Sequence, residues 1–189
     1  KKGDLNEKQK DYMDEIAENN QRMISLVSDL LNVSRVDLGR LKIKHEEVEL
    51  IKLAKALVKE VKPLADKKKI TFNASLPKQE YIFEDSDINV VTVIIQNLLS
   101  NAIKYTPDEG VVSMSIKQVK AGIVLSKKAE LTTKTPGVLI TVTDNGVGIP
   151  EAQQEKIFSK LFRADNVSEL DVEGTGLGLY VTQSFVRGL

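Results

Sequence analysis

The sequence predicts an α+β fold, one sheet with helices packed on it, entered through a single long bundle-type helix. Three observations carry that expectation. Residues 8 to 36 repeat their apolar positions at three- and four-residue spacing. Two runs, Val111 to Val119 and Val138 to Thr143, alternate with period two. Helical and strand periods then interleave through the remaining chain instead of separating into blocks.

The first helix has Met13, Ile16, Met23, Val27 and Leu30 along its seam, widened by Ile24 and Leu31 and interrupted by Asn20. That pattern belongs to a coiled coil or helix bundle. A helix of this kind cannot bury its stripe alone, so a partner helix from another molecule or from missing sequence is expected. Gly39 offers a left-handed cap at its end, and the domain boundary belongs there.

Beyond Gly39, Leu41 to Lys44 alternates like a strand. Leu50 to Lys69 is helical, with Leu53, Ala54, Leu57, Val58 and Val61 on one face and a kink or break at Pro63. The Lys67-Lys68-Lys69 triplet reads as a helix C-terminus meeting its macrodipole. Ile70 to Ala74 and Tyr81 to Glu84 read as short strands joined through Pro77, and Asp85-Ser86-Asp87 supplies N-cap candidates for the next helix.

That next helix starts at Ile88 and is the centre of the chain. Val91, Ile94, Ile95, Leu98, Leu99 and Ala102 form its buried face. Asn97, Asn101 and Lys104 stand at i, i+4 and i+7 and form one polar stripe beside that face. The stripe suits a hard metal ion and phosphate oxygens, although a solvated helix face carries the same residues. Thr106 to Gly110 ends the helix. In the strand that follows, Val112, Met114 and Ile116 face one way. Residues 120 to 135 form an excursion between paired strands, and Val138, Ile140 and Val142 share a face of the second strand. Glu151 to Lys160 reads helical, Leu161 to Glu173 as a loop, and a last helix begins within Gly176 to Val186.

Composition narrows the function classes. Lys+Arg and Asp+Glu both number 27 in 189 residues, so no global basic field argues for nucleic acid. There is no cysteine, which excludes disulfides, thiol catalysis and cysteine zinc sites and fits a reducing compartment. No run approaches the ~20 apolar residues of a membrane span. The chain is therefore expected in the cytoplasm, with any membrane attachment confined to missing segments.

Two further stretches carry chemistry. Asp144-Asn145-Gly146-Val147-Gly148 puts a carboxylate at a strand end with glycines beyond it, which suits close approach of backbone to a flat ligand or a plain Asn-Gly turn. Gly174-Thr175-Gly176-Leu177-Gly178 is a glycine-rich loop opening a helix, a place where N–H groups can meet phosphate. It has neither the spacing of a Rossmann fingerprint nor a P-loop lysine.

Taken in order, the Asn97, Asp144 and Gly174 stretches resemble the N, G1 and G2 boxes of sensor histidine kinases, within the wider family of gyrase, Hsp90 and MutL-type ATP-binding domains. Ile157 to Asp165 looks like the F box between G1 and G2, and the first helix is similar to the second helix of the dimerisation and phosphotransfer hairpin. The resemblance implies a two-layer α/β sandwich, with helices on one face of a mixed sheet, over residues 40–189. Residues 1–39 would be the hairpin helix.

The resemblance also implies roles. Asn97 would ligate Mg²⁺, with Asn101 and Lys104 on phosphate oxygens and Tyr105 against adenine or ribose. Asp144 would accept from the adenine amine, and Gly146 and Gly148 would let backbone close on the base. Gly174, Thr175, Gly176, Leu177 and Gly178 would form a lid over the phosphates, and Arg163 would neutralise charge near the γ-phosphate. ATP and Mg²⁺ are the implied cofactors. A response-regulator receiver domain and a second copy, joined through the hairpin in the intact parent, are the implied partners.

Four departures qualify it. His45, the one histidine, lies outside any phosphoacceptor context and reads as an exposed strand-end residue, so the acceptor helix is expected to be missing. The C-terminal glycine motif and further strand of the family are also missing, which predicts lower stability than a complete domain. Val93 stands where related ATPases place a water-activating glutamate, which disfavours direct hydrolysis and suits a kinase. In the F box, Leu161 and Phe162 only partly replace the usual aromatic pair. A conformational ATPase of the same superfamily and a non-catalytic regulator-binding module remain the alternatives.

Overall fold

The computed structural model describes residues 5–40, 42–126, 131–132, 135–168 and 174–189. Helix α1 spans Glu7–Asp37 and opens with a capping box, in which Asn6 and Gln9 each bond the other's backbone N–H. It closes ahead of Gly39 at φ 61°. Met13, Ile16, Met23, Ile24, Val27, Leu30 and Leu31 are all more than half exposed, so the expected seam is uncovered within this chain.

Leu41 of the expected strand at 41–44 lies outside the described residues, and residues 42–44 form no strand. Strand β1 is Glu46–Glu49 instead. The alternating apolar run loses to an anchor: Asp87 accepts from the Lys44 N–H at 3.0 Å, and Glu46 from the Ile88 N–H at 3.1 Å. These bonds bring the residues after 44 beside β3, Ile82–Ser86, which pairs antiparallel with β1. His45 lies exposed at that edge, paired with Asp85.

Helix α2, Leu50–Lys67, runs through Pro63 without ending. Pro63 faces solvent, where water can satisfy the Lys59 carbonyl that the ring leaves unbonded. Leu50, Ile51, Ala54, Leu57, Val61 and Ala65 hold the buried face on both sides of it. Strand β2, Thr71–Ser75, is not joined to β3 as a hairpin. It pairs parallel with β4, Val111–Val119, while β3 is tied to the start of α2, where Tyr81 carbonyl accepts from Leu50 N–H at 2.9 Å.

The central sheet has the order β2-β4-β7, with β7, Gly137–Asp144, antiparallel to β4. The register sets Met114 opposite Val142 and Ile116 opposite Ile140, so the inward residues of both strands meet on one face. Two short strands, β5 (Val124–Ser126) and β6 (Leu131–Thr132), form a separate ribbon within the expected excursion. Residues 151–156 form a 3₁₀ turn rather than the longer helix expected, and a four-residue helix α4, Asp165–Ser168, follows. The chain continues into α5, Gly178–Gly188.

Helix α3, Ile88–Tyr105, carries more than one buried face. Val91, Ile95, Leu99, Ala102 and Ile103 pack with α2 and the inner face of the sheet. Val90 and Ile94, with Val93 and Leu98, pack instead with Val181 and Phe185 of α5 and with Val33 of α1. The last turns of α1 thus join the second cluster, Val33 being only 8% exposed. Among the described residues no helix is long and apolar enough to cross a membrane.

Candidate nucleotide site

Position begins with the cap of α3. The buried Asp87 carboxylate accepts from Asn89 N–H at 2.8 Å and Val90 N–H at 3.4 Å. Burial pushes this carboxyl up, but the N–H groups of Lys44, Asn89 and Val90 together outweigh it and hold it below the usual carboxylate range. Clamped there, α3 presents Asn97, Asn101 and Lys104 as a half-buried stripe between its two apolar faces.

The other end of α3 is fixed by Lys68, whose backbone N–H caps α2 by donating to the Leu64 carbonyl at 3.4 Å while its side chain reaches across to α3. Its Nζ donates to the carbonyls of Ile103 at 3.0 Å, Lys104 at 3.2 Å and Thr106, which are C-terminal acceptors of α3. A Lys68→Met variant should lose about 2 kcal/mol of unfolding free energy, since charged donors to buried carbonyls contribute roughly that much. An unchanged urea midpoint would show that water replaces the ammonium without cost.

Next to this terminus, the Tyr105 carbonyl accepts from Val147 N–H at 3.2 Å. Asn145 adds two bonds to Val111, its side-chain oxygen accepting from Val111 N–H at 2.7 Å. The exposed Asp144 accepts from Gly146 N–H at 2.9 Å and closes a tight turn. A side chain on Gly146 would collide with the Tyr105 carbonyl, so glycine is required for this approach. Asn166, which the sequence reading did not single out, donates to the carbonyls of Val147 at 3.3 Å and Gly148 at 3.1 Å and pins the loop from its far side.

A cavity of about 360 Å³ opens over the stripe. Asn97, Asn101, Lys104, Tyr105, Arg163, Gly174, Thr175, Gly176 and Gly178 of the expected set all line it. Asp144, Gly146 and Gly148 do not; they stand in the loop hung on Tyr105. Leu177 turns into the second apolar cluster. The F-box pair also divides, since Phe162 lines the cavity while Leu161 is 70% exposed.

Within the cavity, Asn97 donates through Nδ2 to the Gly178 carbonyl at 3.1 Å and to Thr182 Oγ1 at 3.2 Å. Its amide nitrogen is thereby committed, and its oxygen is the atom left to ligate a cation. Lys104 lies 4.9 Å from the centre of the Tyr105 ring, with its amine against Gly174. Burial pushes the Tyr105 hydroxyl up, and the Arg163 charge acts against that shift. Arg163 donates to the Val167 carbonyl at 3.3 Å. Gly176, at φ 68°, lies against the Leu161 backbone.

A further wall of the cavity comes from α1. Arg22, Ser25, Leu26 and Asp29 line the cavity at helical spacing, and none of them was expected there. The signal was present as a polar face beside the apolar seam, but the seam claimed the helix for a bundle.

A polar helix stripe facing a glycine loop, beside a strand-end carboxylate, defines an ATP-binding domain of the α+β class. The chain belongs to the histidine kinase-, DNA gyrase B- and HSP90-like ATPase family, whose profile matches residues 86–189. It is 29% identical over 167 residues to the sensor histidine kinase WalK of Bacillus subtilis, covering 88% of this chain and 25% of WalK. Its fold is similar to that of ShkA solved in complex with AMPPNP, with a TM-score of 0.71, 21% identity, and coverage of 98% of this chain and 35% of ShkA. The histidine kinase ThkA in complex with the response regulator TrrA is also similar, with a TM-score of 0.58, 21% identity, and coverage of 86% and 43%. The chain thus spans a quarter of WalK's length.

Proposed function

We propose that this chain is the ATP-binding catalytic part of a two-component sensor histidine kinase. The observation that carries this is the cavity in which Asn97, with its nitrogen already bonded, stands among Lys104, Arg163 and the glycine loop. Asn101, Lys104 and the loop from Gly174 to Gly178 would hold the phosphates of ATP. Its base reaches Asp144, whose carboxylate selects adenine by accepting from the exocyclic amine. Tyr105 lies against the base or ribose.

Mg²⁺ fits the donor set through the Asn97 oxygen. Among the described residues no group of three or more His, Cys, Asp or Glu could hold a metal alone, so phosphate oxygens and water would complete its shell. When bound, the ion neutralises phosphate charge. Arg163 and Lys104 supply further positive charge where it develops during transfer. Val93 is packed among apolar side chains and offers no carboxylate base, which supports transfer over hydrolysis.

The γ-phosphoryl group would pass from ATP, leaving ADP, to an imidazole nitrogen of a histidine outside this chain, and from there to an aspartate carboxylate of a response regulator, freeing the imidazole. His45 is paired with Asp85 and is not among the cavity-lining residues. The exposed seam of α1 is the surface through which the parent pairs with a second copy. Titration calorimetry with AMPPNP and Mg²⁺ tests the reading. Binding by the parent chain, weakened roughly thirty-fold by Asp144→Ala, is expected from the loss of one charged hydrogen bond. Equal, vanishing heats from both folded proteins would refute it.

A further inference from the structure

Helix α1 brings one carboxylate to the wall of the cavity that faces the phosphate-binding stripe. Asp29 Oδ2 accepts from the Thr175 hydroxyl at 2.9 Å, and Thr175 Oγ1 accepts in turn from the Leu177 N–H at 3.1 Å. The acid is held in this place by the rest of its helix face. Val33, one turn on, is buried against Leu177, Val181 and Phe185. Asp37, a further turn on, accepts from the Tyr180 hydroxyl at 2.7 Å and from Lys160 Nζ at 2.5 Å. Residues 29, 33 and 37 are four apart, so a single face of α1 makes all three contacts.

The charge pattern gives this clasp a meaning. Among the described residues that line the cavity, the other charged side chains are Arg22, Lys104 and Arg163, all cations, and Asp29 is an acid. Among these described side chains, Asp29 is the one whose charge opposes an anion. That one already occupies a hydroxyl of the glycine loop that phosphate would approach. A carboxylate on a hydroxyl beside backbone N–H groups presents the same chemistry as a phosphate oxygen there.

We propose that Asp29 sets the nucleotide affinity of this site by standing on Thr175 in place of the terminal phosphate, so that docked α1 and bound ATP compete. The inference rests on the nucleotide reading above. It adds that the bundle helix is part of the site rather than only its tether. By linkage, undocking α1 strengthens ATP binding, and ATP binding loosens α1 by the same factor.

The test measures affinity for ATP and for ADP, each with Mg²⁺, by calorimetry on the chain and on Asp29→Asn and Asp29→Leu. Circular dichroism melts establish that each protein is folded. The Asn variant keeps an acceptor for Thr175 and removes the charge; the Leu variant removes both. Both should bind ATP at least about five-fold tighter than the parent chain, with a smaller gain for ADP. A Val33→Ser variant, which weakens docking without touching the cavity, should gain in the same direction. Unchanged or weaker ATP binding by Asp29→Asn overturns the proposal, as does an effect seen only in Asp29→Leu, because either makes Asp29 a support of the loop. Equal gains for ATP and ADP overturn the assignment to the terminal phosphate. A parent chain that binds neither nucleotide refutes the functional reading itself, a separate outcome.

Discussion

Alanine at Gly146 is expected to weaken ATP binding by roughly two orders of magnitude while the protein stays folded. The added methyl would collide with the Tyr105 carbonyl oxygen and would also lie 2.9 Å from the Tyr105 carbonyl carbon and 2.8 Å from Asp144 Oδ1. The first two atoms are backbone and cannot rotate aside. The Tyr105 carbonyl is also the acceptor for Val147 N–H, so the collision falls on the joint between α3 and the loop. Relief requires the loop to move away, and it carries Asp144 with it because the Asp144 turn is closed by Gly146 N–H. Base recognition and phosphate recognition then no longer share one ligand geometry, so one set of charged hydrogen bonds is given up, a loss of about 2–3 kcal/mol or roughly two orders of magnitude in affinity. The core is untouched, since Gly146 belongs to neither buried cluster. Gly148→Ala is the matched control. Nothing lies within 4 Å of its added atom, and its φ of 67° costs only about 1 kcal/mol of strain. Binding by Gly146→Ala within about three-fold of the parent, in a folded protein, would show that the loop tolerates the shift.

What the sequence disclosed and what it concealed differ by the range of the interaction. Period-two alternation in Val111 to Val119 and Val138 to Thr143 gave both strands and their inward faces, because each is decided by neighbours along the chain. The polar stripe of α3 was legible for the same reason. The position of β1 was not, since Asp87 and Glu46 set it through bonds across more than forty residues. Pairing of β2 with β4 rather than β3 was likewise hidden, being decided by where Glu80 and Tyr81 attach to the start of α2. Within the site, the glycines and Asn97 announce themselves by type and spacing. Lys68, Asn166 and Asp29 do not, because a lysine, an asparagine and an aspartate on helices or loops look like solvated surface until the fold supplies carbonyls or a hydroxyl opposite them. The split of α3 between two clusters had a sequence sign in its width, with Val90, Ile94 and Leu98 on a line beside Val91, Ile95 and Leu99, but nothing local says that α1 covers the first line.

That two-sided burial makes α3 the place where stability and binding are coupled, and Leu99→Ala is the sharpest probe of it. Leu99 is fully buried in the cluster shared by α2, α3 and the sheet, two residues from Asn97 and from Asn101. Removing three methylene-equivalents there leaves a cavity that rigid neighbours on the sheet side cannot fill, and a loss of about 3–4 kcal/mol is expected. Typical domains hold only about 5–15 kcal/mol in total, so this is a large share. Urea unfolding should show a lower midpoint at unchanged slope, because the surface exposed on unfolding is nearly the same. Leu161→Ala, at a residue 70% exposed, should stay within about 0.5 kcal/mol of the parent. Nucleotide affinity separates two consequences of the cavity. If α3 keeps its position, held by Asp87 at one end and Lys68 at the other, affinity in the folded variant survives and bound ATP restores part of the lost midpoint by mass action. If affinity falls in step with stability, the stripe is positioned by the packing behind it more than by its two ends. The caps make bonds to six backbone groups of or beside α3, counting those of Lys44, Asn89, Val90, Ile103, Lys104 and Thr106, and on that ground the first outcome is expected.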